Sequence, residues 1–233
     1  MARIALQHLQ SHLSGRTNLA ETLVNVGGKY YRLMHPASAE DLIDEAEFEC
    51  DERLPYWAEI WPSAIALARV LADTHIAERR TIELGCGIGL PSVVALDGGA
   101  LVTATDHYLP ALPFAHHNGL LNTGGELKST HLDWHTSACG RLGKFDLILA
   151  SDVLYEQRHV PALASLIPEM LASGGEAMLS DPRRKNSPGF KRELENRGFR
   201  CRVRSTTVRQ GEKDIEVLVY GIRRTAGHPV NSD

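Results

Sequence analysis

Apolar residues recur along this chain in two rhythms. In "ETLVNVGGKYYRLM", residues 21–34, apolar and polar side chains alternate on either side of Gly27-Gly28, the pattern of two short strands joined by a tight turn. In "WPSAIALARVLADTHI", residues 61–76, apolar positions recur at helical spacing, and Pro62 stands near the start, where a proline costs least. Compact apolar runs then alternate with helical ones. Strand candidates are "RTIELG", "LVTATD", "FDLILASD", "GEAMLSD", "CRVRSTTV" and "IEVLVYGIR"; helix candidates are "GLPSVVALDGG", "LPALPFAHHNGLLNT", "HVPALASLIPEMLAS" and "PGFKRELENRG". Short apolar strands separated by helices predict an α/β fold, a mainly parallel sheet covered on both faces. The last two strands have only "RQGEKD" between them, too short for a helical crossover, so an antiparallel end is expected.

Composition narrows the class. The 233 residues, 43% hydrophobic and 23% charged, suit one α/β domain with a sizeable core. No apolar run approaches the roughly 18 residues of a membrane span. The first twenty residues lack the basic head and compact apolar core of a secretory signal, so a cytoplasmic location is expected. Cys50, Cys86, Cys139 and Cys201 form no C-x-x-C pair and read as reduced thiols. Eleven histidines include no H-E-x-x-H, and His116-His117 read as solvated, so no metal is expected. The net charge of −4 gives no global attraction to nucleic acid. "SAEDLIDEAEFECDE" is too acidic for a core element and reads as a polar turn or loop. The expected organisation is an N-terminal extension with a hairpin (1–55), a main domain (56–222) and a disordered polar tail (223–233). The absence of a heptad run points to a monomer.

The chemistry gathers on "TIELGCGIGLPS", residues 81–92. Strand, glycine turn, helix is the arrangement that brings a cofactor against backbone N–H groups. The spacing does not match G-x-G-x-x-G, since Leu90 stands where a dinucleotide turn needs its last glycine; nor does a Lys follow for a triphosphate. The G-x-G-x-G turn, with Glu83 before it and Asp106 ending the next strand, resembles the S-adenosylmethionine site of class I methyltransferases. In that reading Gly85 and Gly87 let the methionine part lie on the backbone, Asp106 accepts the ribose hydroxyls, and Glu83 suits the cofactor's ammonium. "HLDWH" places Asp133 and Trp134 where a third strand ends, an acid for the adenine amino group and an indole for the base. "SDVLYE" places Ser151, Asp152 and Tyr155 at the mouth of the crevice.

Taken in order, "PYWAEIWPSAIALARVL", "ELGCGIGLPS", "TATDH", "LDW", "SDVLYE" and "LSDPRRKNSPGF" resemble the seven-strand protein-lysine methyltransferases that carry Asp-x-x-Tyr or Asp-x-x-Phe. They are most similar to those acting on the electron-transfer flavoprotein β subunit. The resemblance covers about residues 21–222 and implies a Rossmann-like sheet of seven strands, S-adenosylmethionine as cofactor, and a protein lysine as acceptor. It implies that Trp61, Gly85, Gly87, Asp106, Trp134 and Ser151 contact the cofactor and that Asp152 and Tyr155 face the nucleophile. Cys86 and Gly89 of the turn, and His107 after Asp106, are grouped with the cofactor site. Trp61 equally suits a seal between the N-terminal segment and the core, and Asp152 a cap for the following turn. "DPRRKNSPGFKR" carries five basic residues in twelve, suited to an acidic protein surface or to a solvated face. The cofactor signature leaves a small-molecule amine open as the alternative acceptor.

Overall fold

A computed structural model describes residues 7, 9–13, 15–43, 54–136 and 142–225. The alternating stretch forms the expected hairpin, β1 (Leu19–Val26) against β2 (Lys29–Pro36), antiparallel throughout. The domain follows as α1 (Pro62–Ala72), β3 (Arg80–Leu84), α2 (Leu90–Asp97), β4 (Leu101–Asp106), α3 (Ala111–Thr123), β5 (Lys128–His131), β6 (Phe145–Ser151), α4 (His159–Met170), β7 (Leu171–Asp181), α5 (Ser187–Asn196), β8 (Phe199–Gln210) and β9 (Lys213–Arg224).

The seven strands lie in the order β5-β4-β3-β6-β7-β9-β8. From β5 to β7 neighbours run parallel; β9 runs antiparallel to both β7 and β8. Strand β6 shows why its sequence is continuously apolar over residues 147–150. Leu147 and Leu149 face a core shared with α1, α2 and α3, whereas Ile148 and Ala150 face a second core with α4 and α5. A strand buried on both faces has no polar phase. The chain passes from β3 outward to β4 and β5, then returns to place β6 on the other side of β3. That reversal opens a crevice at the carboxyl ends of these strands.

The hairpin is fastened to α3 by two asparagines one helical turn apart. Asn118 Oδ1 accepts from the Met34 N–H (2.8 Å), and its Nδ2 donates to the carbonyls of Met34 (3.0 Å) and Ile88 (2.9 Å). Asn122 repeats the pairing with both backbone groups of Arg32. At the turn, Lys29 and the Tyr31 hydroxyl both bond Asp97 at the end of α2.

Several boundaries differ from expectation. Helix α4 stops at Met170, and β7 starts at Leu171 instead of Gly175, with a register shift against β6 before Leu147↔Glu176. Strand β9 runs to Arg224, past the expected start of the tail; residues 226–233 lie outside the described residues. The acidic stretch forms a 3-10 turn at Glu40–Leu42, and its continuation over 44–53 lies outside the described residues. His116 and His117 are half-buried on α3, not solvated, and His116 Nδ1 donates to the Leu127 carbonyl (2.9 Å). Cys86 and Cys201 are free thiols; Cys50 and Cys139 lie outside the described residues.

Candidate active site

The crevice encloses about 650 Å³ and is lined by the glycine turn, the ends of β4 and β6, and the segment before α1. Its floor begins with the turn between β3 and α2. Gly85, Gly87 and Gly89 have φ between +51° and +90°, a region that a β-carbon disfavours. Two of them also leave no room for one. A Cβ on Gly87 would come within 3.0 Å of the Trp57 carbonyl oxygen, and one on Gly89 within 2.9 Å of Ala115 on α3. These glycines thus bring the backbone against its neighbours while keeping the turn tight. Cys86 is buried in the turn, its N–H donating to the Thr105 carbonyl (2.9 Å), and burial pushes its thiol well up.

Asp106 ends β4 at the crevice and is 5% exposed. Its Oδ2 accepts from the Gly87 N–H and its Oδ1 from the Tyr108 N–H, each at 2.8 Å. Burial pushes its carboxyl up to about 6, against these hydrogen bonds. The His107 N–H also bonds this carboxylate, which keeps acceptor capacity beyond these backbone donors. Trp134 lines the same crevice, against the glycine turn. Its indole carbons sit 3.1–3.3 Å from where a Cβ of Gly85 would be, and its Nε1 is buried without a hydrogen-bond partner. Beside it Asp133 Oδ1 accepts from the His135 N–H (2.9 Å), and Asp133 Oδ2 stands 3.9 Å from His107 Nδ1.

One expected residue stands elsewhere. Glu83 does not line the crevice. It is fully buried beneath the glycine turn, where Oε2 accepts from the Ser92 N–H (2.9 Å) and hydroxyl (2.5 Å) and so ties β3 to the start of α2. Burial pushes its carboxyl up to about 8. Its place in the sequence resembles a crevice acid, but strand alternation turns the side chain toward the start of α2.

The outer part of the crevice is aromatic. Trp61 Nε1 donates to the Tyr56 carbonyl (2.8 Å), and the two rings meet edge to face. Tyr56 in turn meets Tyr155 (5.4 Å between centroids), which meets His159 (4.8 Å), which meets Trp134 (5.2 Å). Trp57 points inward instead and packs on Phe114. Burial raises the Tyr155 phenol and lowers His159. His159 Nδ1 donates to the Val153 carbonyl (3.0 Å), leaving Nε2 as the acceptor of a neutral ring. Ser151 ends β6 half-buried at the crevice.

Asp152 follows with φ +56°, unusual for a residue other than glycine, and is 8% exposed. Its Oδ1 accepts from Arg184 Nε at 2.7 Å; its Oδ2 is buried without a hydrogen-bond partner. Arg184 and His159 are among the crevice residues that sequence reasoning did not single out, as are Tyr108, His135, Glu156 and Arg158. Arg184 lay within the "DPRR" run already marked as basic, whereas no local signal distinguished His159 from the other histidines.

Among the described residues no group of three His, Cys, Asp or Glu is placed to hold a metal. The cradle does fit S-adenosylmethionine. A glycine turn without Lys or Arg suits a cationic cofactor better than a phosphate, Asp106 retains acceptor capacity, and Trp134 offers an indole beside it.

Comparison with known proteins agrees with this geometry. A family profile described as lysine methyltransferase matches residues 49–196, more than half of the chain. Protein N-lysine methyltransferase METTL21A of Danio rerio is 32% identical over 156 residues, 63% of this chain and 71% of the relative. The electron transfer flavoprotein beta subunit lysine methyltransferase of Xenopus laevis is 29% identical over 134 residues, 56% of this chain and 53% of that protein. In fold, magnesium protoporphyrin IX methyltransferase of Synechocystis PCC 6803, solved with bound SAM, superposes with a TM-score of 0.54 at 20% identity, over 68% of this chain and 77% of that one. With its sheet, glycine turn and crevice laid out as described and the profile spanning them, this chain belongs to the S-adenosylmethionine-dependent lysine methyltransferase family.

Proposed function

We propose that this chain methylates lysine side chains of a protein substrate, acting as a monomer in the cytoplasm. The observation that carries the reading is that Asp152 and Tyr155 line the same crevice as the glycine turn and Asp106. An acceptor entering past the aromatic lip thus reaches the cofactor cradle. Trp61, Gly85, Cys86, Gly87, Gly89, Asp106, His107, Asp133, Trp134 and Ser151 would hold the cofactor, with Glu83 supporting the turn from below. S-adenosylmethionine, when bound, supplies an electrophilic methyl on a sulfonium; the C–S electron pair stays on sulfur as the amine lone pair forms the N–C bond.

The chain's own work is to position and desolvate. A lysine amine has an ordinary pKa of about 10.4, so it must reach the crevice neutral, and a partly desolvated aromatic channel favours that form. Tyr155, kept neutral by burial, walls the channel. Asp152 receives a hydrogen bond from the amine and steers its lone pair; proximity does the rest. The acidic balance of the chain, −4, supports a protein acceptor over nucleic acid.

Incubation with radiolabelled S-adenosylmethionine and a lysate of its own organism tests the reading. Label in discrete protein bands, recovered as methyl-lysine and lost with Asp152→Ala, supports it. Label confined to small molecules would establish a metabolite enzyme instead.

A further inference from the structure

The loop after β7 reaches across to the loop after β6. Asp181 Oδ1 accepts from the Arg184 N–H (2.7 Å) and thereby fixes the turn that starts the loop. Asn186 Nδ2 donates to the Leu154 carbonyl (2.9 Å), and Arg184 Nε donates to Asp152 Oδ1. The guanidinium is 35% exposed at the rim, whereas the carboxylate is 6% exposed on the crevice floor. Asp152 is therefore a buried charge held by one oxygen, in a strained backbone conformation, with its other oxygen unpartnered. Desolvating an oxygen without a partner costs free energy, and that arrangement persists where it serves a ligand.

A lone carboxylate would serve a lysine badly. An opposite charge a few ångströms from an ammonium favours the charged form and raises its pKa by about 1–3 units. It would bind the protonated amine, which has no lone pair to give. A carboxylate already paired with a guanidinium offers the same acceptor oxygen with its field largely cancelled. Building on the lysine reading above, we propose that Arg184 is a positioning residue: by neutralising Asp152 through one oxygen, it lets the other receive the acceptor amine in its uncharged form. The proton shed by the ammonium leaves to water before methyl transfer, so neither Asp152 nor Arg184 acts as a base.

Other charged and titratable groups around the pair do not supply this cancellation. Asp181 lies beneath it, fully buried and outside the crevice, its carboxyl raised by burial. Glu156 and Arg158 pair with each other at 2.5 Å. Tyr56 and Tyr155 face the channel, and burial lowers His159 and holds it neutral against the opposing pull of its bond to the Val153 carbonyl. Arg183, the neighbour in sequence, turns away to Glu216 (2.6 Å).

The test is the pH profile of methyl-lysine formation from about pH 6 to about pH 10, read as initial rates on lysate protein with labelled cofactor. Wild-type enzyme is compared with Arg184→Gln, Arg184→Lys and the double variant Asp152→Asn/Arg184→Gln. Arg184→Gln leaves Asp152 uncompensated, so the rising limb should move to higher pH by about one unit, with about a tenfold lower rate on that limb. Arg184→Lys should restore the limb to near the wild-type pH. The double variant, again without net charge, should return it there despite a lower plateau. Cofactor affinity, measured by calorimetry, should stay within about threefold in every variant, since none removes a contact of the glycine turn or Asp106. A uniform fall in rate with an unmoved limb would overturn the proposal and leave Arg184 as a loop fastener. Wild-type enzyme that forms no methyl-lysine at all would overturn the lysine reading itself, and the proposal with it.

Discussion

Asp106 and Asp152 stand at or just beyond the ends of strands that flank β3 on opposite sides, both nearly buried and both open to the same crevice. They are held in opposite ways. Asp106 is gripped by backbone N–H groups on both oxygens, in a segment without positive φ. Asp152 is gripped by a side chain from another loop, at positive φ, with one oxygen unpartnered. A carboxylate fixed by backbone on both sides is a rigid acceptor for a ligand that always binds in the same place. One fixed by a single guanidinium can be tuned in charge, which suits a reactant whose protonation decides whether it reacts. The difference teaches that one residue type is held in two distinct ways in the two halves of the crevice, which on the proposed reading suits two tasks.

The sharpest way to break the comparison is to exchange the two losses. Asp106→Ala should weaken cofactor binding by about 100-fold in calorimetry, corresponding to roughly two hydrogen bonds to a charged group. Asp152→Ala should leave that affinity within about threefold and lower turnover by about 100-fold instead. If both variants lost cofactor to the same extent, the division of labour would be wrong.

A smaller effect follows from pH. On the proposed reading the cofactor's ribose hydroxyls donate to Asp106, so binding favours its ionised form, and burial pushes this carboxyl up to about 6. Cofactor affinity should therefore fall as pH drops through about 6, approaching tenfold per unit below it, and Asp106→Asn should flatten the curve. A slope that survives this substitution would place the titrating group elsewhere.

Glu83 sharpens the comparison as an acid with no route to the crevice. Its carboxyl is raised from 4.5 to about 8, so the folded state holds a proton that the unfolded chain gives up. Stability from this group is present below about 4.5 and is lost as pH rises through about 8. Thermal denaturation should show a midpoint that falls by several degrees across that window, and Glu83→Gln should reduce the fall while leaving cofactor affinity near wild type. The smallest effect belongs to His107, which stands 3.9 Å from Asp133 with both side chains partly exposed: His107→Ala should change cofactor affinity by less than about threefold.

How legible these features were depended on how local their causes are. The alternation of apolar runs foretold the sheet, and the short "RQGEKD" connection foretold its antiparallel end, because both follow from chain geometry. The G-x-G-x-G turn likewise announced itself. The close approach of Gly89 to Ala115 is set by a helix twenty-odd residues away, so the pattern marked the glycine without its reason. Glu83 and Asp106 looked alike as acids on neighbouring strands, and only the side-chain phase of β3 separates them. Arg184 sat in a run that reads as a solvated basic face; its partner lies 32 positions earlier, a distance at which sequence carries no local signal. The break between α4 and β7 was obscured because "PEMLAS" is apolar enough for either.

Asn118 gives the hairpin a meaning that a description as an extension conceals. One side chain holds both backbone groups of Met34 and the carbonyl of Ile88, inside the glycine turn. Removing the hairpin would strip this buried amide of two of its three bonds and loosen the residue that braces the turn from behind. In terms of modularity, the hairpin shares its hydrogen bonds with the domain it precedes. Deleting residues 19–36 should therefore lower the melting midpoint of the remaining domain, a loss that thermal denaturation would read.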